Sequence, residues 1–404
     1  MLSIHYPHLM THLQLFRYGL MPIIATVGEH FLIIKATKEG ILAARQKNGF
    51  KIYLLSEAPG RFLGLVTAFF DDHDQPLTLM TALFDGDEMT GDIEAVLSQP
   101  EFKVYFVDEQ NRELLGISVA NCDAGRFRET MARAAFEPFD LDTYGEVVAR
   151  LSQRFSIRDG IDDEAAFVLS VQEHLYPEDL VIMDTRLAAN SFNGAHQLPA
   201  VTQLVREDPG PAQERDIAVM LGRVFPPENI FLNPFRSDTD KELCDLLVVT
   251  DKVMLFIEAK DSPNTPASLD RSLERKRQTI QNQIIKATKQ LKGALSYARS
   301  ADGVVIKSAP EPLHMALAGR QLLGLVVIRE MFDDSQVANS EPILDMVDQL
   351  QLPLMLIDYP GLHMISLNLR TPARFVGALH NLFDTAMEQG QFPRSVWSAP
   401  PLTE

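Results

Sequence analysis

The residues best equipped for chemistry lie between Lys241 and Lys260. Two apolar runs, Leu243–Thr250 and Val253–Ala259, are joined by the polar pair Asp251-Lys252. With that pair as a two-residue hairpin loop, Thr250 opposes Val253 and Asp245 opposes Glu258. Directly opposed residues of an antiparallel pair hold their Cβ atoms about 4.5–5.5 Å apart on one face. Asp-Lys is not the favoured dipeptide for such a loop, but a four-residue loop centred at the same point keeps this register. Two carboxylates side by side in apolar strands repel, so one must hold its proton or the pair must take a cation. A divalent cation with a taste for oxygen, Mg²⁺ or Mn²⁺, resolves the conflict and also binds substrate phosphates. Lys260, two residues beyond Glu258, falls on the same face of the strand. An ammonium there can position an attacking water and offset charge in the transition state. Asp, Glu and Lys converging on a metal are equipment for in-line attack of water on a phosphodiester.

A helix expected over Ala212–Val224 adds a fourth acid. It starts beside Pro211 and stops before Pro226-Pro227. Glu214 keeps step with Ile217, Leu221 and Val224, so it lies on the stripe that should face a sheet. A buried glutamate needs a partner, and the Asp245–Glu258 pair can be one. Asp216 lies off that stripe and is the weaker choice.

Asp245, twelve intervening residues and then Glu258-Ala259-Lys260 resemble the PD-(D/E)xK motif of restriction-endonuclease-like phosphodiesterases. The order of elements, a helix bearing an acid and then a hairpin bearing D and ExK, is also similar to that family's core. The resemblance covers about residues 200–358 and implies a restriction-endonuclease-like mixed sheet flanked by helices. By motif position it implies Asp245, Glu258 and the Ala259 carbonyl as metal ligands, with Lys260 as the catalytic lysine. Glu214 would match the acid of the first core helix, as a further ligand. Many members present a Gln or Lys from the helix after the motif, and Gln283, Lys286 and Gln290 match by spacing; Gln283 and Gln290 are ranked together. Cys244 stands where the motif's name has proline, a position that varies widely. The look is closest to nuclease-related domains of bacterial proteins. The same residues also suit an ordinary amphipathic hairpin with outward acids.

Local charge points the same way. The chain carries a net charge of −18, which argues against a protein that coats nucleic acid through a general positive footprint. Yet Arg271, Arg275, Lys276, Arg277, Lys286, Lys289, Lys292 and Arg299 stand against Glu274 alone over residues 271–299. Taken alone, such a run is a solvated helix face. Beside a phosphodiesterase site, Arg271 to Lys292 become candidates for phosphate contacts, which set affinity without reading sequence.

The elements that must position these residues follow from length and pattern. At 404 residues, 46% hydrophobic and 23% charged, the chain has an ordinary globular composition and room for two or three domains. Residues 1–122 read as an α+β domain, with strands at Phe31–Lys35, Lys51–Leu55, Leu63–Phe70, Leu77–Ala82, Lys103–Val107 and Leu114–Val119. Short helices are expected at Lys38–Gln46 and Gly91–Ser98. Residues 123–199 read as a helical connector, with apolar residues at three- and four-residue spacing over Phe127–Ala135, Tyr144–Phe155 and Glu164–Leu175. Residues 200–390 form the α/β nuclease-like domain, with strands at Asn229–Asn233, Leu322–Arg329, Leu354–Asp358 and His363–Leu367 besides the hairpin. Long helices are expected over Leu273–Arg299 and Pro372–Glu388. Residues 391–404 form a loose tail holding Trp397.

Other chemistry is poorly supported. Asp71-Asp72-His73-Asp74 lacks the glycine and distal glutamate of a calcium loop and suits an acidic turn. His5, His8 and His12 share a helical spacing but lie near a terminus. There is no phosphate loop of the Walker type and no G-x-S-x-G elbow. Two cysteines, Cys122 and Cys244, cannot build a disulfide framework, and no apolar run spans a membrane, so a cytoplasmic location is the default expectation. The expected function is Mg²⁺- or Mn²⁺-dependent endonucleolytic hydrolysis of nucleic acid, DNA before RNA by family habit. A protein partner met through the first domain is a further expectation. The competing expectations are a nuclease-fold scaffold without turnover, and a subunit active only within a defence or repair complex.

Overall fold

The computed structural model describes residues 1–15, 18–25, 28–70, 76–140, 142–185, 190–195, 200–308, 310–332 and 335–393. The Asp71–Asp74 run and Trp397 lie outside them. The chain mixes α and β structure and divides into two compact units. The first comprises Met1–Leu180, Gln203–Val205 and Asn264–Arg271; the second comprises Val181–Thr202, Arg206–Pro263 and Ser272–Glu404. Among the described residues, no helix is long and apolar enough to cross a membrane.

The first unit is built on an eight-stranded sheet. Its strands are β1 (Gly19–Ile24), β2 (His30–Lys35), β3 (Gly49–Ala58), β4 (Arg61–Phe69), β5 (Leu77–Ala82), β6 (Glu101–Val107), β7 (Glu113–Asn121) and β8 (Phe167–His174). They lie in the order β1-β2-β6-β7-β8-β3-β4-β5. Only the β2–β6 pairing is parallel, and the rest are antiparallel. Helices α1 (Lys38–Gln46), α2 (Glu88–Leu97), α3 (Ala124–Met131) and α4 (Tyr144–Ser156) belong to the same unit. Thr37 and Asp87 start α1 and α2 by accepting the Gly40 and Met89 N–H groups at 3.2 and 3.3 Å, the expected use of such residues at N-caps.

Two expectations fail in this unit. Glu164–Leu175 is not a helix. Only a short turn of helix, Gly160–Ala165, precedes β8. The strand pairs Ser170 with Ala120 of β7 on one side and Phe167 with Ile52 of β3 on the other. Its acidic, alanine-rich start imitates a helical period, but β7 and β3 each offer an edge that only a strand can satisfy. Phe167 and Leu169 accordingly point into the core while Val168 faces out. The segment expected as a connector thus holds a central strand, and the first unit runs on to Leu180.

The second unit has a five-stranded mixed sheet. Its strands are β9 (Ile230–Leu232), β10 (Leu246–Val249), β11 (Val253–Lys260), β14 (Gln321–Ile328) and β15 (Leu354–Asp358). A separate hairpin, β12 (Gly303–Ile306) and β13 (Leu313–Ala316), was not legible in the sequence. The sheet order is β9-β10-β11-β14-β15. The first two pairings are antiparallel and the last two parallel. Parallel neighbours need crossovers, which here contain α6 (Leu273–Ser300) and α7 (Gln336–Leu350). α5 (Gly210–Leu221) precedes the sheet; α8 (Tyr359–Asn368) and α9 (Pro372–Gln389) follow it. Apart from Lys260, β11 is buried along its whole length, as a strand covered on both faces should be. A Cβ at Gly324 of β14 would stand 2.8 Å from Leu291 of α6 and 2.6 Å from Leu354 of β15. The missing side chain lets α6 press onto the sheet one residue from Gln290.

His363–Leu367 is helix, not strand. Asp358 caps α8 by accepting the Gly361 N–H at 2.9 Å. Pro360 sits in the first turn, where its lost donor is no cost. Pro360-Gly361 therefore opens a helix rather than splitting two strands.

Candidate active site

The site begins with the hairpin register. Val249 faces Met254 and Leu246 faces Ile257, so the same register sets Asp245 against Glu258. Thr250 N–H donates to the Val253 carbonyl at 2.9 Å, closing the turn around Asp251-Lys252. Asp245 itself stands one residue before β10. Its Oδ2 accepts the Ala259 N–H at 2.6 Å, taking the place a ladder carbonyl would hold. Asn233, with φ of 48°, donates its N–H to the Asp245 carbonyl at 2.8 Å. Asp245 is thus held at its carboxylate by the Ala259 N–H and at its main-chain carbonyl by the Asn233 N–H.

Lys260 completes the group. Its Nζ lies 3.0 Å from Asp245 Oδ2 and 3.1 Å from Glu258 Oε2, so one ammonium bridges both carboxylates. All three residues are buried or nearly so. Burial, then the charge of Asp245, lifts Glu258 to about 8, and Lys260 pulls the other way. Burial works against the Lys260 charge, but the two carboxylates outweigh it and raise that ammonium above its ordinary range. A buried carboxyl that keeps its proton near neutral pH is one way a like-charge pair settles without a metal.

Glu214 lies half-buried on α5, and Asn233 Nδ2 donates to its Oε2 at 3.0 Å. Burial and the charge of Asp245 raise it to about 6, so the two acids sense each other. Asp216 is the more buried acid of α5. It turns to α8, where the Tyr359 hydroxyl donates to it at 2.7 Å. Gln213, on the same helix, donates to the Lys260 carbonyl at 3.4 Å. That contact is a link sequence reading missed, because nothing in an isolated glutamine marks it.

Asp245 and Glu258 open into a pocket of about 220 Å³ that Gln290, Gly293, Arg236 and Glu242 also line. Gln290 and Gln283, equal in the sequence, part company here. Gln283 Nε2 donates to the Asp261 carbonyl at 2.9 Å and to Ser262 Oγ at 3.1 Å, holding the loop that leaves β11. Arg329 Nη1 reaches Asp261 Oδ1 of the same loop at 3.2 Å.

The basic residues also divide. Arg275, Lys286 and Lys289 are exposed, and helical spacing sets Arg275 and Lys286 on the face of Gln290 and Gly293. Lys276 is buried, so it cannot offer a phosphate a solvent-facing charge. Arg277 lies 3.9 Å from Glu274. Lys292 donates to Gln349 Oε1 at 2.9 Å and Arg299 to the Leu350 carbonyl at 3.0 Å, so both tie α6 to the end of α7. Arg271 is exposed and belongs to the first unit.

The donor set suits a hard cation, for it consists of carboxylate oxygens. Among the described residues, no group of three or more His, Cys, Asp or Glu side chains gathers closely enough to hold a metal. Two carboxylates nevertheless fit Mg²⁺, which commonly takes one or two from the protein and fills its shell with water and phosphate oxygens. Comparison of the chain with family models, with curated proteins and with solved structures found no match in any of the three.

Proposed function

We propose that the second unit is a metal-dependent phosphodiesterase that hydrolyses nucleic acid, built on a restriction-endonuclease-like core. The observation that carries this reading is the Lys260 ammonium within 3.1 Å of both Asp245 and Glu258. The order of the sheet supports it as well, with an antiparallel hairpin bearing the acids and a parallel strand reached through a long helix. A bound Mg²⁺ or Mn²⁺ would supply Lewis acidity and lower the cost of deprotonating water. Asp245 and Glu258 would hold such an ion, with the Ala259 carbonyl as a further ligand and Glu214 adding negative charge. Lys260 would orient the attacking water and offset charge on the phosphorus oxygens as the new P–O bond forms and the ester P–O bond breaks, the leaving oxygen taking a proton from solvent water. Gln290 meets a phosphate oxygen from the helix side. Arg275, Lys286 and Lys289 attract the backbone without reading its sequence. DNA comes before RNA by family habit alone.

One observation favours a second reading, a binding protein without turnover. Lys260 already satisfies both carboxylates, as a purely structural ion triad would. The test is cleavage of single- and double-stranded DNA and RNA in Mg²⁺ or Mn²⁺ by wild type, Glu258→Ala and Lys260→Ala. Cleavage by the wild type, lost in both variants, supports the phosphodiesterase. No cleavage, together with no metal-induced rise in Tm, favours the scaffold. Metal stabilisation without cleavage points to a subunit that works with partners, met through the first unit.

A further inference from the structure

The residues Asn233–Glu242 form a hydrogen-bonded loop that brings Arg236, Lys241 and Glu242 to the pocket wall. Arg236 N–H donates to the Lys241 carbonyl at 2.8 Å and Leu243 N–H to the Pro234 carbonyl at 2.8 Å. Its outer edge is stitched to the β12–β13 hairpin by Ser237 N–H to the Val305 carbonyl at 3.1 Å and Lys307 N–H to the Phe235 carbonyl at 2.7 Å. Arg236 leaves this loop, lines the pocket with Asp245 and Glu258, and lays its guanidinium 3.8 Å from the centre of the Tyr297 ring. Asp238 accepts from Nε at 3.0 Å and from Nη2 at 2.6 Å, leaving the Nη1 edge outside that fork. Asp238 is half exposed, and an ion pair in water is a weak competitor for a phosphate. A guanidinium held over an aromatic face can exchange the exposed Asp238 for forked contact with phosphate oxygens.

A second observation lies across the pocket. Gly293 sits in the interior of a 28-residue helix, two turns before its end, where glycine weakens helix relative to alanine. Packing does not demand it, for a Cβ at that position would meet nothing within 4 Å. The space it leaves opens into the pocket.

We infer that Arg236 is a clamp for a phosphate flanking the scissile one, and that Gly293 makes room for the sugar-phosphate backbone carrying it. This rests on the phosphodiesterase reading, since the clamp shares the pocket with Asp245 and Glu258. The occupant is a polynucleotide chain gripped through its sugar-phosphate backbone, because a guanidinium fork matches phosphate oxygens and phosphate contacts carry no sequence information.

The experiment uses the full chain with two probes, fluorescein-labelled short DNA and inorganic pyrophosphate. Binding is followed by anisotropy and by shift in Tm, and cleavage is assayed alongside. Arg236→Ala should weaken DNA binding at least 10-fold and reduce the slope of log K against log salt by about one, leaving Tm without ligand nearly unchanged. Arg236→Lys should recover little of this, having neither fork nor stack. Gly293→Ala should raise Tm by about 2–4 °C, and Gly293→Leu should fold yet lose DNA binding. Wild-type affinity in Arg236→Ala, with cleavage still abolished by Lys260→Ala, overturns the clamp and leaves the phosphodiesterase standing. Pyrophosphate stabilisation that depends on Arg236, without cleavage of any nucleic acid, keeps the anion subsite and removes the phosphodiesterase. Neither probe binding the wild type overturns both.

Discussion

Asp245 Oδ2 accepts the main-chain N–H of Ala259 at 2.6 Å, between the two residues that complete the acid–lysine group. A side chain from the end of one strand thereby replaces a rung of the ladder on the next. The bond locks the separation of Asp245 from Glu258 and Lys260 to the covalent geometry of β11. The site is thus tied to a strand buried at every residue but Lys260.

This relationship makes Asp245 structural as well as chemical. Asp245→Ala leaves the Ala259 N–H and the Lys260 ammonium without this acceptor in a buried place. It should destabilise the chain by about 1–3 kcal/mol. Asp245→Asn keeps an oxygen for the N–H and should cost less, while cleavage is lost in both. Denaturant unfolding followed alongside cleavage checks this; equal stability of Asp245→Ala and wild type would show that the carboxylate does not hold the strand.

Glu258 should write itself into the pH dependence of stability. Its folded pKa is raised from 4.5 to about 8, so the folded protein binds the extra proton between those values. The stabilisation of the folded state by that proton is complete below pH 4.5 and is lost as pH rises through 8. Without metal, Tm of the wild type should fall across this window relative to Glu258→Gln. Mg²⁺ added at pH 7 should release a proton, because a ligating carboxylate must ionise. Calorimetry in two buffers of different ionisation enthalpy measures that release, and chelation should reverse it. A flat difference between the two proteins from pH 5 to 8 would remove the buried proton.

Gln290 and Gln283 should separate cleanly. Gln290 is exposed in the pocket wall, so Gln290→Ala should lower cleavage at least 10-fold with Tm unchanged. Gln283 makes two hydrogen bonds to the loop at Asp261-Ser262. Gln283→Ala should lower stability by about 1–2 kcal/mol, and its effect on cleavage should shrink on cooling, as the loop is held again. Thermal melts and initial rates on the same preparations distinguish the two, and a reversal of the pattern would exchange their roles.

Much of the hairpin was legible because its signals are local. Apolar runs flanking a polar pair define two strands and a turn, and the two-residue period then dictates which side chains share a face. Asp245, Glu258 and Lys260 fall together for that reason alone. Helix α6 was equally plain, since its length and polar character lie in consecutive residues. What tertiary structure decided was every choice between equivalents. Gln283 and Gln290 occupy the same helical stripe, and only the loop packed below separates a strap from a pocket residue. Glu214 and Asp216 differ by two positions, and the hydroxyl of Tyr359 claims one of them. β8 carries a helix-like period but becomes a strand because two distant strands leave it an edge on either side. Arg236 had no motif at all; its meaning came from Tyr297, 61 residues on in the chain, brought under its guanidinium by the fold. Local pattern is set by the backbone's own period, whereas partner choice depends on contacts between residues far apart in sequence, which no period encodes.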